Sequence, residues 1–247
     1  MYRTRIKIDL LVHDLKVPLS IIEAGVDSLL KREDKYGELT DKQKKVLNRV
    51  FRNTKASMLL VNDIMELSRS REGISNITDC QVRELVLESL AEVIDITGGD
   101  TSASIKSCGS LCDLSEILKE RELYVHADDA FFESDIVVDR GKIKQILRNL
   151  ISNALKYRKK RLDIFAAAER GHFVVTVQDD GKGIPEEYHK KIFDSFFQLG
   201  NDDPGLVRGH GLGLAGVLVL VTDMGGELFL KSGEDKGAAF TVKIPLA

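Results

Sequence analysis

The chain has no tryptophan, only 4 prolines and 3 cysteines, and aromatic residues make up just 6% of its 247 positions. Scarce proline argues against a low-complexity or polyproline segment, while 43% hydrophobic and 30% charged residues match an ordered globular protein. No apolar run reaches the length of a membrane-spanning helix, so no contact of this segment with a bilayer is expected. The net charge is −3, with Lys and Arg scattered along the chain. That leaves no basic field to gather phosphates, and nucleic acid is not an expected partner. Cys80, Cys108 and Cys112 form an odd set without C-x-x-C spacing, which points to free thiols in a reducing, cytoplasmic setting. The first eight residues are charged and lack the apolar core of a signal peptide. A helix pattern that begins almost at Met1 looks like a cut just upstream of a domain, leaving room for a sensor or membrane-bound region before it.

The length predicts two cores. From Ile8, the residues Leu11, Leu15, Leu19, Ile22, Val26 and Leu29 recur at spacings of three and four, the mark of a helix with one buried stripe. A polar stretch over 31–41, with Gly37 and a capping Thr40, predicts a hairpin turn. The next helix runs to about Ser70 with two adjacent apolar stripes, one of Leu47, Phe51, Met58, Val61 and Met65, the other of Val46, Val50, Leu60, Ile64 and Leu67. Such faces exceed what one hairpin can bury, so a second copy is expected to complete a four-helix bundle.

Beyond Gly73 the pattern mixes. A helix is expected over 82 to about 94, a Gly, Ser and Thr rich surface loop over 97–110, and strands over 122–126 and 135–138. A helix over 142–157, strands over 162–167 and 172–178, a helix over 212–224 and strands over 227–230 and 239–244 follow. Without a regular βαβ rhythm, this half reads as an α/β sandwich with a mixed, mostly antiparallel sheet, making the whole chain α+β.

Four segments hold candidate chemistry. In His13-Asp14-Leu15-Lys16-Val17-Pro18, helical geometry turns His13 away from the Leu11, Leu15, Leu19 stripe, so its imidazole is expected in solvent. Asp14 can hold one ring N–H and raise the basicity of the other nitrogen for attack on phosphorus. Asn149, Asn153 and Lys156 stand at i, i+4 and i+7, one face of a helix ending at Tyr157. An amide oxygen there can complete the shell of Mg²⁺ and an ammonium can balance phosphate charge. Asp179-Asp180-Gly181-Lys182-Gly183-Ile184-Pro185 lies at a strand exit, where Asp179 can accept from an exocyclic amine of a base and the glycines admit close backbone approach. Gly209-His210-Gly211-Leu212-Gly213-Leu214 opens a helix, whose free N–H groups favour phosphate. The stretch 199–208 before it reads as a mobile loop, and Arg208 and His210 are candidates to reach a γ-phosphate. Each segment alone also fits an ordinary surface or turn.

In order and together, these segments resemble the sensor histidine kinases of two-component systems: a phosphoacceptor box at 13–18, an asparagine box at 149–157 and glycine boxes at 179–185 and 209–214. Ile192-Phe193-Asp194-Ser195-Phe196-Phe197 is similar to their phenylalanine box. The resemblance implies a dimerising phosphotransfer hairpin over 1–72 and a Bergerat-type ATP-binding domain over 77–247. It further implies ATP and Mg²⁺ as cofactors, phosphorylation of His13, and transfer to an aspartate of a response-regulator receiver domain. Asp179 would then recognise adenine, Asn153 would hold Mg²⁺, Lys156 would contact phosphate and Tyr157 would pack on the nucleotide. Topoisomerase and chaperone ATPases of this type activate water with a glutamate; Asn149 at the matching position is a poor base, which favours transfer over hydrolysis.

Two departures stand out. Many relatives carry Thr or Asn four residues after the phosphoacceptor, where it positions water for dephosphorylation of the partner; Val17 has no hydrogen-bonding group, so phosphatase activity is expected to be weak or absent. The loop over 97–110 is long for the family, with Cys108 and Cys112 in or beside it as structural residues. A thinner stripe of Ile6, Leu10, Val17 and Ile21 beside His13 is open as a docking face or as further bundle core. The rival readings are an ATP-hydrolysing relative, marked by turnover without protein phosphorylation, and a silent dimeric scaffold that binds without transferring phosphate.

Overall fold

The computed structural model describes residues 8–97, 101–194 and 213–246. Helix α1 (Ile8–Lys31) and helix α3 (Asp41–Arg71) pack against each other as a hairpin, joined through one short turn of helix, α2 (Glu33–Tyr36). Thr40 starts α3 with a capping box: its hydroxyl accepts from the Gln43 N–H at 3.3 Å, and the Gln43 amide oxygen accepts from the Thr40 N–H at 2.8 Å. Pro18 lies inside α1, where it can give no N–H to the preceding turn.

Strand β1 (Ile77–Gln81) leads into α4 (Val82–Thr97), α5 (Ser102–Lys106) and α6 (Leu111–Lys119). Then come β2 (Leu123–His126), the single-turn α7 (Asp129–Phe132), β3 (Asp135–Asp139), α8 (Arg140–Tyr157), β4 (Leu162–Glu169) and β5 (His172–Asp179). Helix α9 (Gly213–Asp223) and strands β6 (Glu227–Ser232) and β7 (Ala238–Pro245) complete the fold. The main sheet has the order β2-β4-β5-β7-β6, parallel between β2 and β4 and antiparallel elsewhere. Its inner face, with Leu162, Ile164, Phe173, Val175, Val177, Val242 and Ile244, is buried in one core with Leu85, Leu90 and Ile94 of α4, Ile143, Leu147, Leu150 and Ile151 of α8, and Val217 and Leu220 of α9. At about 1.5–3 kcal/mol for each fully buried large aliphatic side chain, this common core is what holds the nucleotide-type motifs in place.

The mixed, mostly antiparallel sheet matches the expectation, and four details differ. Residues 101–110 are not a plain surface loop, because Ile105 of α5 is fully buried and Cys108 nearly so. Helix α6 was not anticipated, although Leu114 and Leu118 give it an apolar side and Ser110 caps it by accepting from the Asp113 N–H at 3.1 Å. Strand β1 pairs antiparallel with β3 outside the main sheet, and only Cys80 in it is buried. In α1 the buried residues are Val26 of the expected stripe, at 9% exposure, and Val12 outside it, at 3%, whereas Leu11 and Leu15 are 49% and 51% exposed. One hairpin covers only one side of each helix.

Candidate active site

Helix α8 is the backbone of the candidate site. Asp139 begins it by accepting from the Lys142 N–H at 3.1 Å, and its Ile143, Ile146, Leu147, Leu150, Ile151 and Ala154 stripe anchors it to the core. Asn149, Asn153 and Lys156 therefore hold one half-buried face in fixed register, and Tyr157 at the end is 46% exposed. The Lys156 ammonium sits over the Tyr157 ring, 4.9 Å from its centre. Among the described residues, the side chains of Asn149 and Asn153 have no hydrogen-bond partner. Half-buried amides without protein partners are suited to a ligand, and their oxygens fit a hard cation such as Mg²⁺.

Two other segments meet this helix. Where β5 ends, Asp179 is buried and its Oδ1 accepts from the Gly181 N–H at 2.8 Å; burial pushes its carboxyl above the usual carboxylate range against the pull of the Gly181 and Ala238 amides. The space a side chain would need at Gly181 is taken by the Tyr157 carbonyl, which presses the strand exit onto the end of α8. Gly183, at φ +74°, lies against the backbone of Gly233 and Gly237. Both glycines thus admit protein backbone, closing a nest around Asp179. At the other end, Gly213 opens α9 directly beside Asn149: a methyl group on it would lie 3.3 Å from Asn149 Oδ1. Ile192 is buried, and Phe193 meets Phe240 edge to face at 6.4 Å. Arg208, Gly209, His210, Gly211 and Leu212 lie outside the described residues, as do Ser195, Phe196 and Phe197.

The second candidate centre is in the hairpin. His13 is exposed, with a side-chain exposure of 75%, and its Nδ1 is 3.4 Å from Asp14 Oδ1. A proton on Nδ1 directed at Asp14 leaves Nε2 unprotonated and accessible.

Residues 8–73 match the family model described as the His Kinase A (phospho-acceptor) domain, and residues 138–247 match that of the histidine kinase-, DNA gyrase B- and HSP90-like ATPases. The chain belongs to the sensor histidine kinases. The circadian input-output histidine kinase CikA of Synechococcus elongatus is 30% identical over 94% of this chain and 29% of its own length. The sensor histidine kinase YkoH of Bacillus subtilis is 29% identical over 94% of this chain and 45% of its own. This histidine kinase segment thus spans less than half of the curated relatives it matches. Among solved structures, full-length ShkA in complex with AMPPNP shares the fold at a TM-score of 0.62, with 23% identity over 97% of this chain and 45% of that one. The Acinetobacter baumannii histidine kinase AdeS matches at a TM-score of 0.52, with 19% identity over 95% and 98%.

The contacts between the two halves of the kinase escaped sequence reading. Arg148 of α8 binds Asp63 of α3 at 2.8 Å and Glu92 of α4 at 3.0 Å, and Lys55 of α3 binds Asp95 of α4 at 3.0 Å. A fully buried Lys142 lies on the apolar stripe of α8, four residues before Ile146 and eight before Leu150. That misplaced charge was the one signal in the sequence. Among the described residues no helix is long and apolar enough to cross a membrane, and no cluster of His, Cys, Asp and Glu could hold a metal ion.

Proposed function

We propose that this segment is an ATP-dependent autophosphorylating kinase core that phosphorylates its own His13 and passes the phosphoryl group to an aspartate of a response-regulator receiver domain. The observation that supports it is the convergence on one helix of the Asp179–Gly181 nest, the start of α9, and Asn149 and Asn153, whose side chains bond to none of the described residues, in the same chain as an exposed His13 beside Asp14. Asp179 accepts from the adenine amine in its buried nest, Tyr157 packs on the nucleotide and Lys156 offsets phosphate charge. By the family resemblance, Gly209, His210, Gly211, Leu212 and Gly213 would offer backbone N–H groups to the phosphates, and Arg208 and His210 would reach the γ-phosphate. Asn153, with the phosphate oxygens, would hold Mg²⁺, which supplies charge neutralisation when bound.

In the transfer step the Nε2 lone pair of His13 forms a bond to the γ-phosphorus as the bond from that phosphorus to the β-bridging oxygen breaks, releasing ADP. Asp14 holds the Nδ1 proton throughout and stabilises the positive charge that develops on the ring. Asn149 cannot act as a general base toward water, which favours histidine as the acceptor. Val17, 49% exposed beside the phosphoacceptor, has no group to orient water toward a phosphorylated partner, so phosphatase activity is weak.

Leu11, Leu15, Ile22, Val46, Val50 and Ile64 leave an apolar face on the outside of the hairpin, and a second copy of the chain covers it as a four-helix bundle. Three free thiols suit a cytoplasmic location. The test is incubation with γ-labelled ATP and Mg²⁺ beside a His13→Ala variant. Acid-labile label on the native chain alone is the expected result; nucleotide binding without label would favour the silent scaffold, and ATP turnover without label the hydrolysing relative.

A further inference from the structure

Lys142 belongs to none of the segments that touch nucleotide or His13, yet it is 1% exposed and keeps its charge matched by three acceptors from three places. Its Nζ pairs with the Asp223 carboxylate, donates to the Ile74 carbonyl at 3.2 Å and lies 3.8 Å from Asp139 Oδ2. An ammonium has three N–H groups, so this set satisfies it although the lysine side chain itself is closed to water; of the two carboxylates, Asp139 is buried and Asp223 stays partly exposed, at 24%. Each acceptor has its own position in the kinase. Ile74 sits in the short connection between α3 and β1; Asp139 ends β3 and caps α8; Asp223 ends α9, the helix whose first residue, Gly213, lies against Asn149. Asp139 reinforces the hold on the connection, because its Oδ2 also accepts from the Asn76 N–H at 2.8 Å and the Ser75 hydroxyl at 3.3 Å.

A buried ion network of this kind is not the cheapest way to fill a core, since well-packed apolar side chains of similar volume stabilise as much or more. What it adds is geometric dependence. The ammonium can satisfy all three acceptors only when the connection, the start of α8 and the end of α9 hold one relative arrangement. We infer that Lys142 is a positioning residue that couples the hairpin connection at 74–76 to both helices of the nucleotide site, so that occupancy of that site is transmitted to the junction with the hairpin and thus to the delivery of the γ-phosphate to His13. This rests on the reading of α8 and the Asp179 nest as a nucleotide site.

The test uses the full chain, its Asp223→Asn and Lys142→Met variants, and a non-hydrolysable ATP analogue with Mg²⁺. Asp223→Asn keeps side-chain size and a hydrogen bond to the ammonium, so it decides the matter even where Lys142→Met fails to fold. Amide exchange around Asn76 in the native chain is expected to slow by about fivefold or more on adding the nucleotide, and in Asp223→Asn by less than about twofold. Nucleotide affinity should stay within about fivefold of native while the rate of His13 labelling at saturating ATP falls about tenfold. A purely structural role would lower the melting temperature and leave the response at Asn76 intact. An undiminished response in folded Asp223→Asn therefore overturns the inference, as does a native connection indifferent to bound nucleotide. If the native chain binds nucleotide and never labels His13, the kinase reading falls, and the exchange comparison still decides the coupling.

Discussion

Arg148 reaches from α8 across to the hairpin and holds the Asp63 carboxylate at 2.8 Å, one residue before Asn149. Burial pushes the Asp63 carboxyl up to about 6, with Arg148 pulling against it, from an ordinary value of 3.8. The folded chain therefore binds this proton more tightly than the unfolded chain does. The stability it contributes is complete below about pH 4 and is lost as pH rises through about 6. Since the side chain keeps 22% exposure, the loss is about 1–2 kcal/mol rather than the full value of a two-unit shift. Asp63→Asn, which mimics the protonated acid, should match the native chain at pH 4 and exceed its stability by about that amount at pH 7.5 in denaturant melts. A less stable variant at pH 7.5 would mean that the attraction to Arg148 outweighs the cost of burial.

Asp179→Asn preserves size and the hydrogen bond from Gly181 but loses the charged acceptor. Nucleotide affinity measured by calorimetry should drop about 10- to 100-fold, the worth of one hydrogen bond to a charged group, with no loss of melting temperature. Unchanged affinity would remove Asp179 from base recognition.

Gly181→Ala drives a methyl group into the Tyr157 carbonyl, so either the end of α8 or the strand exit must move. Unfolding in urea should show a loss of about 1–3 kcal/mol. The control, Gly171→Ala, has open space but a φ of +78°, and should show only the milder strain of the left-handed backbone.

Val17→Thr adds a hydroxyl at an exposed site four residues from His13, so stability should stay within about 0.5 kcal/mol of native. The lifetime of a phosphorylated receiver domain should be almost unaffected by the native chain with ADP and shortened by the variant. Rapid dephosphorylation by the native chain would show that water is positioned without residue 17.

Legibility in the sequence followed the range of the interactions. Asn149, Asn153 and Lys156 were readable because a single helix sets their spacing, and β7 because its buried residues alternate; β4 and β5 are buried at consecutive positions and were readable as short apolar runs. Helix α5 was hidden because its segment is rich in Ser and Gly, and a lone Ile105 gives no period. Val12 was missed as an inward residue because periodicity identifies the widest apolar stripe, here the one expected to meet a second copy, and not the narrower side that packs on α3. The Lys142–Asp223 pair spans 81 positions, and no local pattern announces a contact closed only by the packing of α8 on α9.

Lys55, Asp63 and Leu67 sit along one side of α3, contacting Asp95, Arg148 and Gly216 of the other half. Twelve helical positions separate the first from the last, about 18 Å of a rod that does not stretch. A rod of that stiffness carries a displacement at any one of these grips to the other two, so the three contacts are strained or kept together.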